Sequence, residues 1–147
     1  MNAYIRVIDT LYDLLSNDAS INTVTKGGDI DTNKKNCFPL AHINVLNSEF
    51  DKATISFNVA IFTMSLRDLV KDTEKDKWTE NDNENENLDD MLYVQHRLYQ
   101  NLLKLNDELE LSSVELLEPF TEAYNNVADG WVMRVKVTLT ETDSGIC

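Results

Sequence analysis

The stretch KWTENDNENENLDDML, residues 77–92, sets six carboxylates between Glu80 and Asp90 with no basic side chain among them. Such a run could hold a cation, imitate the phosphates of a nucleic acid, or act by repelling other anions. The calcium-loop spacing tests the first option. Asp82, Glu84 and Glu86 can stand as its first, third and fifth ligands. Asn87 then replaces the required glycine, and Tyr93 falls where a bidentate glutamate is needed. A helix also begins inside the would-be loop. The pattern therefore favours a solvated acidic segment leading into a helix over a metal site.

Other reactive residue types are scattered. His42 and His96 have no Cys or Glu at ligand spacing and no nucleophile nearby in sequence, so each reads as a satisfied or solvated histidine. The four glycines, at 27, 28, 130 and 145, build no phosphate-cradling loop. Cys37 and Cys147 form no metal-type pair and are expected as free thiols. The residues imply no cofactor, no metal and no enzymatic constellation.

The elements that would position this acid run are easier to trace. Tyr4, Val7, Ile8, Leu11, Leu14 and Leu15 recur at steps of three and four, which predicts a helix over 1–17. Ser20–Lys26 is rich in β-branched residues and predicts a strand, with Gly27 and Gly28 supplying a turn or short hairpin. FPLAHINVLN, residues 38–47, places Ala41, Ile43 and Val45 on one face against His42 and Asn44. ATISFNVAIFTM, residues 53–64, sets Ile55, Phe57, Val59 and Ile61 against Thr54, Ser56, Asn58 and Ala60. These two runs predict a long antiparallel hairpin. A change of phase at Phe62 and Met64 suggests a bulge or a contact surface.

A charged loop is expected at about 68–87, followed by a helix over roughly 88–107. Asn87 is its candidate N-cap, with Asp90 three residues on; Leu88, Met91, Leu92, Leu98, Leu102, Leu103 and Leu105 form its stripe, interrupted by Gln95. Val114–Glu118 reads as a short strand ended by Pro119, and 120–129 as a turn or short helix. Beyond Gly130, Trp131, Met133, Val135, Val137 and Leu139 alternate with Val132, Arg134, Lys136 and Thr138. A short tail closes the chain at about 141–147. Strands that follow one another without regular crossovers predict an α+β fold: an antiparallel or mixed sheet of four to six strands against two main helices, in one domain.

The totals narrow the partners. The chain has 147 residues, 42% of them hydrophobic, with a net charge of −13 and a pI near 4.4. That is a folding sequence whose surface repels nucleic-acid phosphates and anionic membranes. The N-terminus is too polar for a signal peptide, and no apolar run approaches a membrane span, so a soluble protein made in a cytoplasm is expected. Trp78, Phe50, Phe62, Met64 and Phe120 lie at or near element ends, a pattern suited to a protein partner.

Several stretches in this order, NTVTKGGDID, FPLAHINV, SFNVAIFTM, NDNENENLDDMLYVQHRL, LEPFTEAYNNVADGW and the terminal IC, resemble a family of small virion proteins of tailed bacteriophages, including crAss-like podoviruses. These are related to tail-terminator and head–tail connector (neck ring) proteins. The resemblance runs from about Asn22 to Cys147. It implies a non-enzymatic α+β subunit of tail-terminator type, forming a homo-oligomeric ring of about six- or twelve-fold symmetry. The ring would lie in the virion neck or tail, against adjacent portal, neck or tail rings, and the subunit would be synthesised in the bacterial host cytoplasm. DNA would pass through without specific binding. Trp78, Glu80, Asp82, Glu84 and Glu86 then become a loop that faces the lumen or docks the next ring. Arg134 and Lys136 would make salt bridges between subunits or rings, or else remain solvated on an exposed sheet face. The alternative is a small acidic inhibitor that mimics DNA and blocks a host nucleic-acid-binding protein, although its acids are concentrated in one loop and not spread in a double row.

Overall fold

Residues 2–28, 30, 37–67, 84–105, 109–123 and 128–140 are described by a computed structural model. They form two helices, α1 (Ala3–Ser16) and α2 (Glu84–Lys104). Six strands accompany them: β1 (Thr23–Lys26), β2 (Leu40–Phe50), β3 (Thr54–Leu66), β4 (Glu110–Val114), β5 (Glu118–Ala123) and β6 (Ala128–Thr140). The result is the expected α+β architecture, a six-stranded mixed sheet packed with two helices.

The sheet runs β1-β2-β3-β6-β4, with β5 also paired to β6. All of its pairs are antiparallel except β1 with β2. Most of the second arm of the short hairpin that could follow β1, residues 29–34, lies outside the described residues. Gly27 takes the positive φ, 131°, that the expected turn calls for, and β1 and β2 point the same way, which a tight hairpin between them could not produce. The β2–β3 hairpin is as long as its alternation suggested.

Both helices lie on one face. Ala3, Val7, Leu11 and Leu15, four residues apart, form the buried stripe of α1. In α2 the stripe is Met91, Val94, Leu98 and Leu102. They meet Phe57, Val59 and Ile61 of β3 and Met133, Val135, Val137 and Leu139 of β6. Arg97 of α2 joins the helices at the surface, gripping Asp18 with bonds of 2.8 and 2.9 Å. Burial raises the Asp18 pKa, but the Arg97 and Ser20 hydrogen bonds, with the Arg97 charge, outweigh it and hold the carboxyl below its ordinary value.

Phe62 and Met64 do not mark a bulge in β3, whose pairing with β6 is unbroken from Thr54 to Leu66. Instead, the second face of the sheet is covered at that end. Leu40, Met64 and Ala128 are fully buried there beneath Ile30, Phe38, Phe62 and Phe120. Met64 is thus core and not an exposed contact. The bulge is in β2, between Val45 and Asn47.

Two further boundaries move. The strand expected at 114–118 is resolved into β4 and β5, which flank a break at residues 115–117; β5 takes the first part of the turn or helix expected at 120–129, and β6 its last two residues, while residues 124–127 lie outside the described residues. Pro119 is tolerated because β5 is an edge strand, where a missing N–H need cost no ladder bond. The last strand starts at Ala128, so Gly130 lies inside it. A Cβ there would stand 1.9 Å from the Thr63 carbonyl oxygen, which makes glycine necessary.

Candidate functional site

Trp78, Glu80 and Asp82 lie outside the described residues. Glu84 and Glu86 occupy the first turn of α2, where carboxylates favour the positive end of the helix dipole. The helix therefore begins four residues before its expected start at Leu88. Asn87 is accordingly not an N-cap. It is buried one turn inside, where its Nδ2 donates to the Leu66 carbonyl at 2.8 Å and to Asp129 Oδ2 at 3.4 Å.

Arg67, just past β3, organises this corner. Its guanidinium grips Asp129 with bonds of 3.2 and 2.9 Å and stands 3.0 Å from Glu84 Oε2. The side chains of Arg67 and Asp129 are only 3% and 0% exposed. Two buried charges must be paired this closely to persist. One member of the acid run is thus committed to holding α2 against the ends of β3 and β6. The local sequence could not reveal this pair, because Arg67 and Asp129 are 62 residues apart and neither interrupts a periodic pattern.

Arg134 and Lys136 project from the face opposite the helices, and both find partners within the chain. Arg134 Nη1 is 3.3 Å from Glu118 Oε1 on β5, and Lys136 Nζ pairs with Glu49 of β2. These bridges are partly solvated, each contributing about 0–1 kcal/mol. His42 lies on the same face but is 1% exposed. Thr25 Oγ1 and its Nδ1 are 2.7 Å apart, and its Nε2 donates to the Gly27 carbonyl at 2.7 Å. Burial lowers its pKa, opposed by the Gly27 bond. This histidine fastens β1 and the Gly27 turn to β2.

Sequence periodicity did not indicate an apolar groove of about 440 Å³ between α2 and the β4–β5 break. Leu92, Tyr93 and Tyr99 of α2 form one wall, Val114 and Leu117 the other, and Met133 lies beneath. Gln95, the interruption in the predicted stripe, is completely buried beside it. Its Nε2 donates to the Ile61 carbonyl at 2.9 Å and the Trp131 carbonyl at 3.3 Å, which fixes the amide orientation. Gln95 Oε1 has no partner among the described residues. A polar group inside the stripe thus ties α2 to two strands.

Among the described residues the sheet is open at both edges. β1 covers β2 only from Leu40 to Ile43; beyond that, no described strand pairs with the outer edge of β2. That open length carries Leu46, 46% exposed at the bulge, and Phe50, 80% exposed at the hairpin tip. At the other margin no described strand flanks β4 or β5, and Leu116 between them is 90% exposed. Unpaired edges bearing apolar side chains are a template for another strand.

Among the described residues no three His, Cys, Asp or Glu side chains gather to hold a metal ion, and no helix is long and apolar enough to cross a membrane. No known protein-family model matches the chain, and a search of curated proteins finds no significant match.

Proposed function

We propose that this chain is a non-enzymatic structural subunit that joins copies of itself edge to edge into a closed ring, in the neck or tail of a tailed bacteriophage. The sheet edge left open among the described residues carries the assembly part of this reading. A strand edge with Leu46 and Phe50 exposed is a liability in a free monomer, and a closed ring removes it. The placement in a virion rests on the sequence resemblance. In such a ring the acidic segment would line the conduit, where its charge repels DNA phosphates, or face the adjoining ring. Because Glu84 is held by Arg67, Glu80, Asp82 and Glu86 are the better candidates for that role.

Mass in solution, measured at several salt concentrations, tests the assembly. Copies with a net charge of −13 repel one another, so rings closed by apolar contacts and strand pairing should tighten as salt screens that repulsion. Discrete rings that strengthen with salt, and the presence of the chain in purified particles, are the expected results. A monomer at every concentration, absent from particles, would contradict the proposal. A monomer that captures a basic nucleic-acid-binding protein and releases it as salt rises would instead favour the DNA-mimic reading.

A further inference from the structure

Resting on that assembly reading, we infer that the groove between α2 and β4 is the receiving half of the subunit contact, and that its occupant is the open edge of β2, at Val45 and Leu46, from a second copy. Three features of the sheet converge on this pairing. First, Val45 pairs with Val59, Val59 with Val135, and Val135 with Val114, so a single row of valines crosses the sheet from one open edge to the other. Val59 and Val135 are buried, whereas Val45 and Val114 are only partly buried, and among the described residues no strand continues the row. Val114 is also a wall of the groove.

Second, the strand directions match. β2 and β6 are each antiparallel to β3, and β4 is antiparallel to β6, so β2 and β4 run in opposite senses. Setting β2 of one copy beside β4 of the next extends the sheet as another antiparallel pair, the commoner kind of ladder. Third, the faces match. Val45 and Val114 belong to the side of the sheet that carries the helices, the side on which the groove opens. Unstaggered pairing sets Val45 against Val114 and brings the adjacent bulge residue Leu46 to the groove mouth at Leu92. The contact is head to tail, so each copy retains one free edge until the ring closes. The same register brings Glu49 level with Glu110, a like-charge approach that salt would relieve.

Two surface variants test this one-sided contact. Leu46→Asp damages the inserting edge, and Leu92→Glu, at an exposed helix position, damages the groove. Each alone is expected to weaken self-association at least about thirtyfold, the effect of losing an interface hot spot. Mixed together they retain one intact contact, so 1:1 dimers that grow no further are the expected product. Leu46→Ser, which adds no charge, serves as a second edge variant, and circular dichroism confirms that each variant folds. Rings of Leu46→Asp as stable as those of the parent, or folded variants that do not pair on mixing, would overturn the inferred contact and leave the ring itself standing. Failure of the parent chain to form rings at any salt concentration would bring down both.

Discussion

The two ends of the sheet are built in opposite ways. Where β3 finishes and β6 begins, both faces are covered and polar groups are buried with partners. Arg67, Asp129, Asn87 and Glu84 interlock on the helix side, and Leu40, Met64 and Ala128 fill the other. At the β2–β3 turn the helix-side core continues through Phe57 and Leu139, but Phe50 is exposed and the outer edge of β2 is unpaired among the described residues. The strand β2 carries the contrast within itself, buried from Leu40 to Ile43 and exposed from Leu46 to Phe50. Buried polar partners and two-sided burial are therefore gathered at the closed end, and the open end keeps a core on the helix side with an exposed edge on β2.

The largest expected effect comes from breaking the closed end. Asp129→Ala removes the carboxylate that Arg67 grips with two bonds, and should destabilise the protein by about 3–5 kcal/mol, the range for breaking a buried ion pair by removing one member. Urea unfolding measures it. A loss below about 1 kcal/mol would mean that water reaches Arg67 freely and that this corner is not the anchor described above. Glu84→Gln, which keeps a neutral hydrogen-bond acceptor near Arg67, should cost much less. The comparison also separates the structural carboxylate of the acid run from its neighbours.

A smaller effect at the same end is expected from pH. His42 has its pKa lowered by burial, partly offset by its bond to the Gly27 carbonyl. Below the ordinary histidine value of about 6.5, the unfolded chain takes up a proton that the folded chain resists. Stability should thus decline as pH falls from about 6.5 to the lowered value, with a slope no steeper than about 1.4 kcal/mol per pH unit, and this contribution then levels off. Asp18 acts in the same sense but in a lower window: its depressed pKa gives stability that is present above the ordinary carboxylate value and lost in acid. His42→Gln, which retains a donor for Gly27, should flatten the near-neutral slope. An unchanged slope in that variant would assign the pH dependence elsewhere.

The contrast between ends also explains what the sequence disclosed. Local alternation was sufficient for β2, β3 and β6, since each has one face on the helices and period-two patterning records exactly that kind of burial. It misled at Phe62 and Met64, where two-sided burial resembles a change of phase. The parallel sense of β1 left no local mark, because strand direction depends on where the connection lands. β4 and β5 were blurred into one short strand because ELSSV and EPFTEA have little apolar alternation; pairing with β6 defines them. The acid run was visible at once, but the commitment of Glu84 to Arg67 was not, since it depends on bringing the end of β3 beside α2. The groove was hidden for a related reason: its walls come from α2 and the β4–β5 break, and Gln95 looked like a flaw in a stripe.

The smallest expected effect lies at the open end. Lys136→Ala removes the bridge to Glu49 that spans the exposed face from β6 to β2. Both side chains are partly solvated, so the change should lower folding stability by no more than about 1 kcal/mol, and a double-mutant cycle with Glu49→Ala should give a coupling of similar or smaller size. Its effect on assembly should be larger in proportion. Without Lys136 the Glu49 charge is no longer neutralised, and in the inferred register it stands level with Glu110 of the next copy. Self-association of Lys136→Ala should therefore depend more steeply on salt than that of the parent, while Glu49→Gln should make it less steep. Equal salt dependence in all three proteins would place Glu49 away from the contact and require the two edges to meet in another register.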